Sequence, residues 1–419
     1  MEYSVARRAE FDWLRVLALA MLMIFHSAVG YGSWPWQVND AHTSPLLDNF
    51  LDFLLRWRVS LVFIVSGSAL MLALQRRRPV AIVRERCARL LVPLLFGVLV
   101  VVPPQVYFGR VQQGQFHGSF LDYLPQAFNG IYPDGNLTWN HLWFIPYVLV
   151  MTAAALPLFD WLRGQAMRQR FDAVMTVAAR RHLYWLTLVP LFGADLLLRG
   201  QDSDAHEFFG DAHGWLEFAA LFLLGGALAH APDILKAVQR TRFTALAIAV
   251  PAYATLRLAW PAIGENPGSL PEAQAIAWCC VSAMNQLAWV LAAIGFLTHR
   301  FNRPSPLLSY FTEAAMPVYV LHQTLIVYAV FHLHHVTWPL GEKIVLTLSF
   351  STLGALALYE LAIRRSKWLC ILFGVKPRAR AIGPATLVNE SGVQDTGGDA
   401  SGAITSRSSA PSSSGRRPW

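Results

Sequence analysis

Apolar segments long enough to cross a lipid bilayer recur along almost the whole chain, from residue 12 to residue 363. The 419 residues are 55% hydrophobic and only 14% charged, whereas a soluble domain of this size carries more charge. Because lipid offers no hydrogen-bond partner to free backbone groups, each segment is predicted to be helical. The fold is therefore predicted to be all-α, a polytopic membrane protein with a bundle of about ten transmembrane helices.

Ten apolar segments are predicted to span the membrane. They cover residues 12–31, 50–74, 90–108, 141–161, 183–198, 214–231, 243–260, 274–298, 307–331 and 343–363. The fifth and seventh are among the shortest, and Asp195 and Arg257 interrupt them. A charged residue within a short apolar run is costly in lipid, so these two depart most from the pattern of a spanning helix.

Basic residues are concentrated in alternate loops, which indicates the orientation of the chain, and the loops between them carry almost none. The basic clusters lie around residues 7, 76–89, 163–181, 236–242, 300 and 364–367. By the positive-inside rule these loops are cytoplasmic, and an even number of spans leaves both termini there. The net charge of +8 follows from these loops, so no nucleic-acid partner is predicted.

One large domain is predicted between two termini. Residues 1–11 form a cytoplasmic N-terminus and residues 12–365 the transmembrane domain. Residues 376–419 are rich in Gly, Ser, Ala and Pro, a composition that cannot bury a core, so they are predicted to be a disordered cytoplasmic tail. No spacing among the four cysteines or the histidines resembles a metal site, so no metal is predicted.

Two ionisable residues of the first predicted span share one helix face. Arg15 and His26 are eleven residues apart, so their side chains point the same way, about 16 Å apart along the axis. Keeping both in lipid is costly, which indicates a polar passage through the bilayer. Asp12 lies three residues before Arg15 and can pair with it. His26 is a candidate general base, and the alternative is a histidine that holds two helices together.

Other charged residues are candidates for the same passage. Arg86 and Arg89 are three residues apart at the start of a predicted helix, hence on one face. Guanidinium groups grip phosphate bidentately, which favours a phosphate clamp, although cytoplasmic loop charge explains the pair equally well. Arg58 enters the second span at a depth comparable with His26. His322 lies in the middle of the ninth span and is a second candidate imidazole.

Tryptophans gather at the predicted outer ends of the spans. An interfacial aromatic belt explains most of them. The alternative is stacking against sugar rings, because an indole has a flat apolar face and one polar group. Trp34, Trp36 and Trp139 are the best candidates for that role, and Trp143 is a further candidate substrate-binding residue.

Five short motifs together resemble the acyltransferase type 3 membrane family. They are Asp12-x-x-Arg15 followed by His26, Phe63-x-x-Ser66-Gly67, Arg86-x-x-Arg89, His141-Leu-Trp143-Phe144 and Tyr319-x-x-His322. No single motif is specific, but all five occur in order, each on the expected span, across roughly residues 10–365. Within this family, the stretch from Arg58 to Phe63 and the overall length are similar to the glucan biosynthesis protein C group.

The resemblance implies acyl transfer from cytoplasmic acyl-CoA to a hydroxyl of a glycan or other acceptor at the outer face of a bacterial inner membrane. It implies that His26 is the catalytic histidine, that Arg15 is its motif partner, and that Arg86 and Arg89 hold the CoA phosphates. We further expect His322 to take part in catalysis. Acyl-CoA is then a co-substrate, membrane lipid surrounds the domain, and no tightly bound cofactor is predicted.

Two rival functions use the same residues. A proton-coupled transporter of sugars or organic acids also needs buried His, Arg and Glu, but the chain has no internal repeat of the kind transporters use. A non-catalytic membrane scaffold predicts that His26 and His322 both tolerate replacement by asparagine.

Overall fold

The computed structural model describes residues 8–198, 208–259 and 270–377. Within these ranges the chain is helical, with no strand longer than an isolated bridge between Ile131 and Leu137. The all-α prediction is confirmed for this part of the chain. The predictions for residues 1–7 and for the tail from residue 378 lie outside the described residues.

Twelve helices, labelled α1 to α12, organise the described domain. They are α1 Ala9–Val29, α2 Pro45–Leu74, α3 Pro79–Gln112, α4 Phe144–Arg163, α5 Gln165–Arg180, α6 Leu188–Leu197, α7 Ala212–His230, α8 Pro232–Arg240, α9 Arg242–Ala259, α10 Glu272–Arg300, α11 Pro306–Leu333 and α12 Leu340–Leu361. Shorter helical turns precede α4 at Asn140–Trp143 and α6 at Leu183–Thr187.

Each of the ten predicted spans coincides with a helical segment. Among the described residues, eight helices are long and apolar enough to cross a membrane: α1, α2, α3, α4 with its preceding turn, α7, α10, α11 and α12 with the turn after it. The fifth and seventh predicted spans are the two that fall short. The apolar run Leu183–Leu197 is short, and α9 begins at Arg242 and contains Pro251 and Arg257. The helices of these two predicted spans, α6 and α9, both pack on α10 within the bundle.

Two wide π-helical turns interrupt α3, at Cys87–Leu91 and Gly97–Val101. Pro93 follows the first turn and Pro103 follows the second. A proline lacks the backbone N–H, and its ring clashes with the carbonyl one turn earlier. The wider turn moves that carbonyl aside, so the helix continues past both prolines.

Most of the interior belongs to two large hydrophobic cores, with two small clusters beside them, and α1 lies between the two large cores. The first core joins α1 to α2, α4, α7, α8 and α10, whereas the second joins parts of α3, α4, α11 and α12. Phe11, Leu14 and Phe25 of α1 belong to the first core, and Met23 belongs to the second. A stripe of half-buried α1 side chains, which we call the α1 seam, separates these faces. It consists of Arg15, Leu19, Leu22 and His26.

The close packing of α2 against α7 depends on glycine. A Cβ atom at Gly67 would lie 1.9 Å from the carbonyl oxygen of Phe222, and one at Gly225 would lie 2.0 Å from that of Ile64. The Ser68 hydroxyl donates a hydrogen bond of 2.8 Å to the Gly225 carbonyl across the same contact. Small residues let membrane helices approach at backbone distance.

Candidate active site

His26 and His322 form a hydrogen-bonded pair between α1 and α11. The Nδ1 atom of His26 lies 2.8 Å from the Nε2 atom of His322, and the rings stack at 5.1 Å with a 12° angle between their planes. His322 is fully buried, whereas His26 is half-buried. The Nδ1 atom of His322 lies 2.6 Å from the backbone carbonyl oxygen of Tyr319.

These contacts assign the tautomers of both neutral rings. A carbonyl oxygen only accepts hydrogen bonds, so the Nδ1 atom of His322 carries a proton and donates to Tyr319. The Nε2 atom of His322 then accepts, and the Nδ1 atom of His26 must be its donor. This tautomer leaves the Nε2 lone pair of His26 as the proton acceptor. The arrangement suits a general base whose orientation is fixed by a second histidine.

His141 is a third imidazole beside the pair, contributed by the short turn that precedes α4. Its ring meets the edge of His322 at 5.0 Å and 87°. Its Nε2 atom lies 3.1 Å from the Val320 carbonyl oxygen, and its own carbonyl accepts a 2.6 Å hydrogen bond from the Tyr319 hydroxyl. From the sequence, His141 is recognisable only as part of the motif His141-Leu-Trp143-Phe144, and no role is predicted for it. The available signal was an imidazole at the opening of an apolar span.

A buried amide network supports this histidine cluster. Asn140 has φ = 44°, a left-handed conformation that asparagine tolerates better than most residues. Its side-chain nitrogen donates a hydrogen bond of 2.7 Å to the Gln105 side-chain oxygen, and its side-chain oxygen accepts a hydrogen bond of 3.1 Å from Gln323. The Gln105 amide also donates 2.7 Å to Thr324, which in turn donates to the Val101 carbonyl. The network links α3, the turn before α4, and α11 around the cluster, and it supplies the hydrogen-bond partners that buried polar groups need.

Trp36 covers the His26 ring. The ring centroids are 6.3 Å apart and the planes meet at 24°. Asn39 fixes the local turn, because its side-chain oxygen accepts from the Trp36 backbone N–H at 2.9 Å and its amide donates to Trp34 at 2.9 Å. The structure therefore places a half-buried indole over the imidazole, and a role of Trp36 in stacking on a sugar stays a prediction.

The loop that carries Trp36 is fixed to α12 by two buried contacts. Lys343 and Asp40 form an ion pair of 2.6 Å with almost no exposure of either side chain. The hydroxyl groups of Tyr31 and Thr347 lie 2.8 Å apart. Burial raises the pKa of Tyr31 to about 12, so its hydroxyl stays protonated and available for this bond.

Arg58 of α2 lies beside the histidine pair from the other side of α1. Its guanidinium carbon is 3.6 Å from the centre of the Phe25 ring, and the residue is buried. A cation over an aromatic face is partly compensated for lost hydration. The charge is close enough to act on both His26 and His322. The structure thus places the Arg58 and His26 side chains near each other. Their comparable depth in the membrane stays a prediction.

A pair of guanidinium groups lies at the opposite end of the α1 seam. The Arg15 side chain is 38% exposed and lies 3.8 Å from the Asp12 carboxylate. Arg86 is held inside the bundle, because it donates 3.0 Å to the Thr152 hydroxyl and 3.4 Å to the Ser66 carbonyl. Arg15 and Arg86 are close enough for their charges to repel. Two cations kept together in this way favour an anionic ligand.

Similarity to known proteins shows the family of the chain. The profile of the acyltransferase domain family matches residues 8–360. The chain belongs to this acyltransferase family. It is 24% identical to the "Glucans biosynthesis protein C" of Salmonella typhimurium, covering 90% of this chain and 95% of the relative. Its identity to the protein of the same name from Salmonella paratyphi B is 25%, covering 87% and 93%.

No solved structure matches the chain. The predicted family resemblance is confirmed, including the glucan biosynthesis protein C group, at low identity. The protein is a membrane acyltransferase, and this membership favours an enzyme over the rival transporter and scaffold functions.

Arg89 of the acyltransferase has different partners from Arg86. Its Nε atom donates 3.0 Å to the Gly374 carbonyl, and it lies 3.5 Å from the Glu85 carboxylate. The expectation of one shared face assumed a regular α-helix. Arg89 lies within the π-helical turn Cys87–Leu91, which begins just after Arg86 and changes the direction of its side chain relative to that of Arg86. Arg15 and Arg89 both lie close enough to Arg86 for their charges to act on it, Arg15 more strongly, and Arg89 is also bonded to the C-terminal segment.

Trp143 lies in an aromatic cluster rather than beside the histidines. Its ring contacts Tyr147 at 5.6 Å and Phe218 at 5.8 Å, and Phe218 stacks on Phe63 at 4.1 Å. The Phe63 motif thus packs α2 against α4 and α7. A substrate-binding role for Trp143 stays a prediction. In the residues that the structure describes, no group of three or more His, Cys, Asp or Glu side chains is placed to hold a metal ion.

Proposed function

We propose that the protein is a membrane O-acyltransferase that moves an acyl group from cytoplasmic acyl-CoA to a hydroxyl of a glycan, or another acceptor, at the outer face. The observation that carries the proposal is the hydrogen bond between His26 and His322, together with the position of His26 on the same face of α1 as Arg15. Along α1, the proton acceptor His26 and the anion-binding residue Arg15 are about 16 Å apart. The extended phosphopantetheine arm of CoA can bridge such a distance.

The donor would bind at the Arg15 end. Arg15 and Arg86 supply the charge for the CoA phosphates, and Thr152 and Ser66 hold Arg86 in place. Leu19 and Leu22 then offer an apolar path along the α1 seam for the arm and its thioester. The basic loops favour a cytoplasmic position for this end, and both termini would lie on the cytoplasmic side of a bacterial inner membrane. No bound cofactor beyond the co-substrate is needed.

His26 would act as the general base. The acceptor hydroxyl donates its proton to the Nε2 atom of His26, and its oxygen attacks the thioester carbonyl carbon. The carbon–sulfur bond breaks as the ester forms, and the CoA thiolate takes the proton back from the imidazolium. His322 accepts from the Nδ1 atom of His26 and so keeps the ring in the correct tautomer. Arg58 would stabilise the oxyanion that develops on the carbonyl oxygen.

The acceptor would approach beneath Trp36. An indole face over the base suits a sugar ring, whose C–H surface stacks on aromatic groups while its hydroxyls stay polar. The names of the relatives concern glucan biosynthesis, which favours a glucan as the acceptor. The acyl group itself is left open between acetyl and succinyl.

Mass spectrometry of cell-envelope glycans tests the proposal. Cells that lack the protein are complemented with the wild type, with His26→Ala or with His335→Ala, an exposed histidine outside the cluster. We expect an acyl mass increment on the glycan with the wild type and His335→Ala, and its loss with His26→Ala. Acylated glycan at wild-type level with His26→Ala refutes the assignment of His26, and no acylated glycan with the wild type refutes the glycan acceptor.

A further inference from the structure

A second candidate binding site lies on the far side of α1, between the ends of α9 and α10. A cavity of about 420 Å³ opens there. Arg242, His299 and Arg300 contribute its basic groups, and Phe243, Phe296 and Phe301 its aromatic ones. None of the seven lining residues is acidic. Basic and apolar surfaces therefore meet in one depression at the end of a spanning helix.

The basic groups are held in place by the aromatic ones. The Arg242 guanidinium lies over the Phe243 ring at 4.8 Å and over the Phe296 ring at 5.6 Å. Arg300 lies over Phe301 at 5.6 Å. One Arg242 N–H group donates a hydrogen bond of 2.5 Å to the Gln239 carbonyl. Stacking on a ring uses only the face of a guanidinium, so the other in-plane N–H groups of Arg242 can still donate to a ligand.

Gly295 allows the Arg242 backbone to approach α10. A Cβ atom at Gly295 would lie 2.7 Å from the Cβ of Arg242 and 2.9 Å from the Val238 carbonyl oxygen. The basic wall of the cavity is therefore built into the contact between α10 and the corner of α8 and α9. Arg242 is therefore fixed at its backbone, whereas Arg300 is exposed at the end of α10.

The depth of the cavity corresponds to a membrane interface. It adjoins Trp13 in the first turns of α1, whose ring packs on Phe301 at 5.1 Å and whose indole N–H donates to the Arg303 carbonyl. Tryptophan is enriched at the headgroup level of bilayers. Phe243 is 62% exposed and Phe301 is 39% exposed, so the aromatic side of the cavity is open to surrounding lipid.

We propose that this cavity binds the phosphate headgroup of an anionic phospholipid, with the acyl chains along Phe243 and Phe296. Arginine donors match phosphate oxygens, and basic pockets between spanning helices bind anionic headgroups. Arg15 and Trp13 are two residues apart on α1 and so point to nearly opposite sides. The lipid site is therefore separate from the proposed donor site and does not depend on it.

Lipid binding to the full-length protein in detergent tests the proposal. The probes are dioleoyl phosphatidylglycerol, dioleoyl phosphatidylcholine and inorganic phosphate, and native mass spectrometry counts the lipids retained. We expect Arg242→Gln combined with Arg300→Gln to weaken phosphatidylglycerol binding about tenfold or more. Arg240→Gln removes an exposed charge nearby and should change binding less than about twofold.

Four outcomes overturn the proposal. They are equal binding of the two lipids, an equal loss with Arg240→Gln and the double variant, no loss with the double variant, and displacement of phosphatidylglycerol by millimolar inorganic phosphate. The last result would assign the site to free phosphate. If the double variant does not fold, Arg300→Gln alone decides, because Arg300 is exposed at a helix end. It should weaken binding about threefold, and unchanged binding would contradict the site.

Discussion

Replacing His322 with alanine separates the positioning of His26 from the binding of the donor. The substitution removes the 2.8 Å partner of the His26 Nδ1 atom and leaves a donor in a largely apolar region. A buried donor without a partner costs about 1–3 kcal/mol, which opposes the tautomer that keeps Nε2 as the acceptor. At about 1.4 kcal/mol per tenfold, kcat should fall about 5- to 150-fold. His26→Ala should cost about 10²- to 10⁴-fold.

The assay is acyl transfer from radiolabelled acyl-CoA in purified membranes, with kcat and KM measured separately. The KM for acyl-CoA should stay within about twofold of the wild type, because the guanidinium pair lies about 16 Å away along α1. His322→Gln retains an acceptor oxygen and should recover part of kcat. The double variant of His26 and His322 should be no slower than His26→Ala. A raised KM with unchanged kcat, or additive losses in the double variant, would refute the positioning role.

Three further changes have defined outcomes. Arg86→Gln should raise the KM for acyl-CoA about tenfold or more in the same assay, whereas Arg89→Gln should have the smaller effect; equal effects would contradict the pairing of Arg86 with Arg15. Gly67→Ala should destabilise the protein by about 1–3 kcal/mol in thermal unfolding, and Gly341→Ala, where a Cβ meets open space, should not. Trp36→Ala should raise the KM for the glycan and leave that for acyl-CoA unchanged, and the reverse pattern would exclude stacking on the acceptor.

The helices of the bundle are predictable from local sequence because lipid demands both length and apolarity. All ten predicted spans are helical, and the two interrupted by Asp195 and Arg257 are those that lack a full apolar length. The shared direction of Arg15 and His26 is also predictable, since α1 continues unbroken from Ala9 to Val29. These features depend only on helix geometry within one segment.

The pairing of histidines was not predictable in detail, because it depends on tertiary packing. His26 and His322 are 296 residues apart, and only the contact of α1 with α11 brings them together. His141 joins them through a short turn held by Asn140, whose positive φ has no clear signature in an apolar sequence. The different partners of Arg86 and Arg89 had a visible signal. Pro93 lies four residues after Arg89 and disturbs the regular helix on which the shared-face argument relied.

The most direct test of the account measures acyl transfer across a sealed membrane. Proteoliposomes contain the wild type or His26→Ala, with glucan oligosaccharide at the His26 side and radiolabelled acyl-CoA only at the Arg15 side. The account predicts labelled glucan with the wild type and a rate at least about 10²-fold lower with His26→Ala. Labelling that requires donor and acceptor on the same side, or that proceeds equally without the imidazole, would contradict it.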